Sequence, residues 1–256
     1  MVILKLDSVA KTYHSEGRPP VQALRSVDLD IDEGSFISFV GPSGCGKTTL
    51  LNMVAGLMAP SSGRVLFQGE EVKEPSREVG VMFQRPVLLP WRTVEKNVLL
   101  PAEVFGMDID EIRPRVKETL DMVGLGDFTE ALPQHLSGGM QQRAALARVL
   151  AYRPKVLLMD EPFGALDEFT REAMNVELLK LVRPSGITTL FITHNIQEAV
   201  FLSDRVVVMS PRPGRMAGTV DVPFGQVRDM DVMRDQRFVD AVFAVRELLQ
   251  HDAIGS

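Results

Sequence analysis

The feature that most restricts the fold of this chain is the segment 41–48, which reads GPSGCGKT. It fits the pattern G-x-x-x-x-G-K-[ST], in which a glycine-rich loop wraps its backbone N–H groups around phosphate oxygens. A strand-like apolar segment at 35–40 precedes the loop, and an apolar helical pattern that starts at Leu50 follows it. Because the loop joins a strand to a helix, phosphates would bind at the helix N-terminus. The sequence therefore predicts a nucleotide-binding domain of the α/β class.

The residue types in this loop suit a triphosphate. Lys47 would bring a positive charge to the β and γ phosphates, and Thr48 would offer its hydroxyl to Mg²⁺. Glycines let the backbone approach the phosphates without a clash from Cβ. The candidate nucleotide-binding residues of the loop are Gly41, Ser43, Gly44, Gly46, Lys47, Thr48 and Thr49.

An acidic pair follows a second apolar segment. Residues 156–159 read VLLM, as in a buried parallel strand, and Asp160 and Glu161 come next. Ligands bind at the carboxyl ends of such strands. Asp160 would hold Mg²⁺ directly or through water, and Glu161 would act as general base toward the attacking water. The alternative is an acidic pair that starts a turn before Pro162, but the phosphate-binding loop favours the catalytic interpretation.

The remaining pattern predicts a mostly parallel sheet covered by helices, with a helical insertion. Strands are expected at 3–9, 35–40, 64–67, 79–83, 156–159, 188–192 and 205–209. The segment 92–153 is predicted to be a helical subdomain, in which Pro114 lies near a helix start and Gly124 caps a helix end. Residues 1–91 and 154–222 would form the nucleotide-binding core, with an antiparallel β portion near the N-terminus.

The tail, 223–256, repeats apolar residues at helical spacing, namely Phe238, Val242, Val245 and Leu249. We expect a helix that packs on the core of its own chain.

The composition and the absence of certain sequence patterns limit the partners and the compartment that we expect for this protein. The net charge of −6 argues against a general nucleic-acid binder, and the one cysteine excludes an internal disulfide. The N-terminus carries Lys5 and Asp7 where a signal peptide needs an apolar run, and no segment reaches the length of a membrane span. A role at a membrane would require a partner, and we expect a cytoplasmic chain.

Residues 136–143, LSGGMQQR, form a second candidate anion site. Ser137, Gly138 and Gly139 open a helix, so free N–H groups, a hydroxyl and the positive helix end coincide. One nucleotide needs two such phosphate sites only if they come from different subunits. An N-capped helix with a glycine-rich start is the plainer alternative.

This segment resembles the signature of the ABC ATPase family, although Met140 replaces the more usual glutamine. The resemblance extends over residues 1 to about 220. It implies the P-loop NTPase fold of that family and a head-to-tail dimer, in which the loop of one subunit and the signature of the other enclose ATP and Mg²⁺.

Four further residues match functional positions of the family. Tyr13 corresponds to the aromatic residue that stacks on adenine, although a plain surface tyrosine remains the alternative. Gln84 corresponds to the glutamine that contacts Mg²⁺ and water and joins the core to the helical subdomain. Asp167 corresponds to an aspartate that crosses the dimer interface. His194 corresponds to the histidine that contacts the γ-phosphate.

The segments 88–98, 162–167 and 209–215 resemble the nitrate, sulfonate and taurine branch of bacterial importers. Trp91 is expected either to anchor a membrane partner or to pack inside the chain. The resemblance implies an ATPase motor on the cytoplasmic face of the inner membrane, bound peripherally to integral permease subunits and indirectly to an extracytoplasmic solute-binding protein. It implies no nucleic-acid partner.

Several alternatives stay open at this point. The active pair is either a homodimer or a heterodimer, and the transported solute is not encoded in the motor motifs. A soluble ABC ATPase without a transport role, an exporter motor, and a regulatory module that does not hydrolyse ATP are the competing functions. The presence of both Glu161 and His194 argues against the last of these.

Overall fold

The computed structural model describes residues 1–226 and 228–254, so residues 227, 255 and 256 of the predicted tail lie outside the described part. Its strands are β1 Val2–Ser15, β2 Arg18–Asp32, β3 Phe36–Val40, β4 Ser62–Phe67, β5 Glu70–Glu71, β6 Val79–Met82, β7 Val156–Asp160, β8 Thr188–Ile192, β9 Arg205–Met209 and β10 Met216–Asp221. Its helices are α1 Lys47–Val54, α2 Val94–Val104, α3 Ile109–Met122, α4 Gly138–Leu150, α5 Glu168–Ser185, α6 Ile196–Leu202 and α7 Gln236–Ile254.

The larger sheet positions the site. Its strand order is β10-β9-β3-β8-β7-β6, parallel from β9 to β6, with β10 antiparallel at one edge. Strands β3 and β8 are buried along their whole length, which explains why their sequences are mostly apolar. Since β8 lies between β3 and β7, the phosphate-binding loop, His194 and the acidic pair all follow the carboxyl ends of three adjacent strands.

The smaller sheet is antiparallel, in the order β2-β1-β4-β5. The prediction of a strand at 3–9 was too short, and β2 was not predicted. The reason is the Pro19-Pro20 pair, which argues against a strand in the middle of a sheet. Here β2 is an edge strand, where proline is tolerated because no ladder hydrogen bond is lost on the open side. Residues 14–20 form the end of this hairpin, with Tyr13 opposite Val21.

The segment 92–153 contains the helices α2, α3 and α4. Helix α3 starts earlier than predicted, because Asp108 caps it by accepting a hydrogen bond from the Asp110 N–H. Pro114 therefore lies inside the helix, not at its start. Gly124 follows the last turn at φ 69°, a left-handed conformation that favours glycine at helix ends.

Apolar residues form three clusters, two of which draw on the large sheet and one on α2–α4. Helix α7 joins the first, where Phe238, Val242 and Val245 are buried beside β10 and α6. The apolar residues that recur at helical spacing in α7 therefore lie on one face of the helix, and that face packs on the core of the same chain. Over residues 1–226 and 228–254, none of the helices combines the length and hydropathy needed to cross a membrane.

Candidate functional site

The phosphate-binding loop leaves β3 and enters α1 through Gly46. This residue has φ 100°, a conformation that L side chains rarely adopt. A Cβ at this position would also lie 2.6 Å from the Leu24 side chain. Glycine is therefore required both by the turn and by the close packing of the loop on β2.

Lys47 lies within the loop, with only 7% of its surface exposed. Its Nζ donates hydrogen bonds to the carbonyl oxygens of Gly41 at 2.7 Å and of Pro42 at 3.1 Å. The loop thus holds the ammonium group at its own centre. In this position the charge can attract a phosphate without a long side-chain rearrangement.

A cavity of about 380 Å³ opens beside the loop. Many of the predicted nucleotide-binding residues line it, together with the predicted base: Tyr13, Ser43, Gly44, Gly46, Lys47, Thr48, Thr49 and Glu161. The Tyr13 hydroxyl and Thr49 Oγ1 are 3.2 Å apart, which fixes the ring at the cavity wall. Gly41 contributes the carbonyl oxygen that holds Lys47.

Thr48 and Asp160 are joined directly, since the Thr48 hydroxyl donates to Asp160 Oδ2 at 2.8 Å. Burial raises the pKa of the Asp160 carboxyl, and the Thr48 hydrogen bond opposes this shift. A desolvated carboxylate gains from a cation beside it. Hydroxyl and carboxylate oxygens are also ligands that Mg²⁺ accepts.

The described residues contain no cluster of three or more histidine, cysteine, aspartate or glutamate side chains that could hold a metal ion. Mg²⁺ is commonly held by one or two protein oxygens together with phosphates of the substrate, and the Thr48–Asp160 pair offers two such oxygens.

Glu161 and His194 contact each other across the site, with His194 Nδ1 and Glu161 Oε2 3.1 Å apart. Glu161 has φ 46°, which is rare for a residue with a side chain, and its N–H donates to the carbonyl oxygen of Ile192 on β8 at 2.9 Å. A left-handed non-glycine residue costs roughly 1–3 kcal/mol and persists where its surroundings fix it. The conformation directs the Glu161 side chain into the cavity and toward His194.

Gln84 lies two residues beyond β6, at the same edge of the sheet as Asp160. Its side chain is exposed and is not among the described residues that line the cavity. Its carbonyl oxygen accepts a hydrogen bond from Gln142 Nε2 of α4 at 2.9 Å. The backbone at Gln84 thus connects the sheet to the helical segment.

The signature residues lie at a different site. Ser137 caps α4 by accepting from the Met140 N–H at 3.3 Å, and Asp167 caps α5 by accepting from the Thr170 N–H at 3.0 Å. The Thr170 N–H also lowers the pKa of the Asp167 carboxyl. Both caps line one hollow of about 610 Å³, together with Gly138 and Gly139. Within one chain this hollow does not join the cavity beside Lys47.

Three residues of the cavity wall were not predicted: Val21, Ala23 and Arg212. Val21 and Ala23 lie on β2, the strand that the sequence did not reveal. Arg212 lies in the segment 209–215, which was singled out only as a mark of one importer branch. No sequence pattern placed that segment beside the loop.

Comparison with known proteins identifies the family. The family model described as ABC transporter matches residues 24–164. An ABC transporter ATP-binding protein of Methanocaldococcus jannaschii is 47% identical over 89% of this chain and 85% of its own length. A taurine import ATP-binding protein of Ruegeria pomeroyi is 44% identical over 92% of this chain and 87% of its own length.

A solved structure is also similar. It is the dimeric post-hydrolysis state of an ATP-binding cassette with ADP and Pi bound, and it superposes with a TM-score of 0.75. That cassette is 34% identical and covers 87% of this chain and 100% of its own. The predicted fold class and the predicted ATPase class are confirmed, and the chain belongs to the ABC transporter family as an ATP-binding, ATP-hydrolysing protein.

Proposed function

We propose that this chain is the ATPase motor subunit of an importer for a small solute of the taurine, sulfonate or nitrate kind. The proposal rests on the cavity that Lys47, Thr48 and Glu161 line. Asp160 is hydrogen-bonded to Thr48, and His194 is hydrogen-bonded to Glu161. The similarity to a taurine import ATP-binding protein supports import over export.

Binding uses groups that the fold already positions. The N–H groups of the loop and the Lys47 ammonium would hold the β and γ phosphates, and Tyr13 would support the adenine with its ring face. Thr48, Asp160 and Gln84 would hold Mg²⁺, which when bound neutralises charge on the β and γ oxygens.

Hydrolysis requires a water molecule aligned with the bond that breaks. In the proposed step the water oxygen attacks the γ-phosphorus while the bond to the β-phosphate oxygen breaks, and ADP leaves. Glu161 accepts the proton of the water, since its side chain lines the cavity. His194 orients Glu161 through their hydrogen bond and would contact the γ-phosphate on the other side.

Two copies would complete each site. Ser137, Gly138, Gly139 and Asp167 lie outside the cavity of their own chain and present an N-capped helix start to solvent. A second copy in head-to-tail arrangement would place these groups over the nucleotide of the first. We propose a homodimer for this reason, with a heterodimer as the second possibility.

We also propose the division of the chain into a core of 1–91 and 154–222, a helical subdomain of 92–153 and a tail of 223–256. The hydrogen bond between Gln84 and Gln142 joins core and helical segment. Closure of the dimer would move this connection and, through it, the surface that meets the membrane partner.

That surface contains exposed apolar side chains. Trp91 is 74% exposed, so it is not a buried packing residue, and Val87 and Phe83 are exposed nearby in the chain. Exposed aromatic residues often anchor partners. We propose that this surface binds integral permease subunits at the cytoplasmic face of the inner membrane, where the chain acts as a peripheral protein. An extracytoplasmic solute-binding protein would deliver the solute to that complex.

The test is an affinity pull-down of the tagged chain from its native membranes, with mass spectrometry of the proteins recovered. We expect a polytopic membrane protein with the wild type and a clear loss of it with Trp91→Ala. Phe243→Ala, which removes an exposed aromatic ring from α7, is the matched control and should recover as much as the wild type. Recovery of soluble proteins alone would contradict the importer function and leave only the ATPase.

A further inference from the structure

The loop between β9 and β10, residues 210–215, is fixed against the phosphate-binding loop. The Gly214 N–H donates to the Ala23 carbonyl oxygen at 2.9 Å, and the Arg25 N–H donates to the Gly214 carbonyl oxygen at 2.8 Å. A Cβ on Gly214 would lie 1.8 Å from the Cys45 carbonyl oxygen, so the two backbones are in direct contact. The position of this loop is therefore tied to both β2 and the nucleotide-binding loop.

Arg212 projects from this loop into the cavity that Lys47 and Tyr13 line. Its Nε donates to the Gly44 carbonyl oxygen at 3.2 Å. Its Nη2 would be 3.1 Å from a Cβ built on Gly44, so the guanidinium lies over the loop. Gly44 and Arg212 are 168 positions apart in the chain.

The charge of Arg212 has no carboxylate partner within the described ranges 1–226 and 228–254. The bond to Gly44 occupies one of the five N–H donors of a guanidinium. The remaining donors are free to bind a ligand while that bond persists.

We propose that Arg212 is a further nucleotide-binding residue, which binds phosphate oxygens of the nucleotide from the side opposite Lys47. A planar guanidinium matches phosphate oxygens with two parallel N–H groups, and its charge strengthens each bond. The inference rests on the proposed function, because it places Arg212 in the same nucleotide site. It gives the segment 209–215 a task in ATP binding.

The test is calorimetric titration of the purified chain with ATP and with ADP in the presence of Mg²⁺. Arg212→Gln should weaken both affinities about tenfold, the size of one charge-assisted hydrogen bond. Arg212→Lys should restore part of the loss, since it keeps the charge but not the fork. Arg205→Gln removes an equal charge from an exposed pair on β9, away from the cavity, and should bind like the wild type.

Affinities of Arg212→Gln within twofold of Arg205→Gln would overturn the assignment and leave the proposed function intact. A wild-type chain that binds no ATP would overturn both. Equal losses for ATP and for adenosine, which has no phosphate, would also contradict a phosphate contact. Thermal denaturation of each variant, with unchanged midpoints expected at these exposed positions, shows that a loss of affinity is not a loss of fold.

Discussion

Glu161 and His194 are joined by a hydrogen bond, with 3.1 Å between Glu161 Oε2 and His194 Nδ1. The strained backbone of Glu161 is fixed by its N–H bond to the carbonyl oxygen of Ile192, so the protein backbone itself positions the Glu161 side chain. The site is therefore prepared for the charge that develops during hydrolysis, and preparation of this kind contributes strongly to catalysis. It follows that the side chain of Glu161 can be changed without loss of the binding site.

We predict that Glu161→Gln binds ATP as tightly as the wild type but hydrolyses it at least about 100-fold more slowly, because glutamine keeps the shape and cannot accept the proton. Steady-state turnover and nucleotide affinity, measured on the same preparation, check this. Glu111→Gln removes an exposed carboxylate of α3 and should leave turnover unchanged. Turnover of Glu161→Gln at the wild-type rate would show that another group is the base.

Individual site residues could be predicted from the sequence where they belong to a motif only a few residues long. The candidates of the loop and the acidic pair could be named because each group follows a strand within a few residues. Arg212 could not be named, since its contact with Gly44 spans the chain and depends on how β9 lies beside β3. Sequence patterns say little about such distant contacts.

Among the elements, the central strands and the edge strand β6 were predicted, whereas β2, β5 and β10 were not. Strands β3, β7, β8 and β9 are buried almost throughout, so their sequences are mostly apolar. Strand β10 is half exposed, and β5 has two exposed residues, so neither has a strong pattern. A strand that is buried on both faces has a mostly apolar sequence, and this pattern makes it easy to predict.

The packing of α4 on β6 gives a prediction for an element. A Cβ on Gly80 would lie 2.4 Å from Val149 Cγ1, and a β-branched side chain has little freedom to move. We predict that Gly80→Ala lowers the free energy of unfolding by about 1–3 kcal/mol, as overpacking does. Denaturant unfolding measures it. Gly225→Ala is the control, because nothing lies within 4 Å of a Cβ there. Equal stability of the two variants would mean that α4 does not pack tightly on β6.

For the whole molecule, the important observation is that the two predicted anion sites lie apart. The cavity beside Lys47 and the hollow beside Ser137 share none of their lining residues. In the proposed dimer a single copy would therefore contribute two half-sites, and the similar cassette with ADP and Pi is a dimer. Hydrolysis by this chain should depend on an encounter between two copies.

The most direct test is the ATPase activity per chain as a function of protein concentration, for the wild type and for Gly138→Asp. A Cβ at Gly138 would meet nothing within 4 Å, so the variant should keep its fold and its ATP affinity while its carboxylate repels the phosphates of the other copy. We predict that wild-type activity per chain rises with concentration and that Gly138→Asp is inactive. Activity per chain that is constant with concentration, and equal in the variant, would contradict a site shared between two copies.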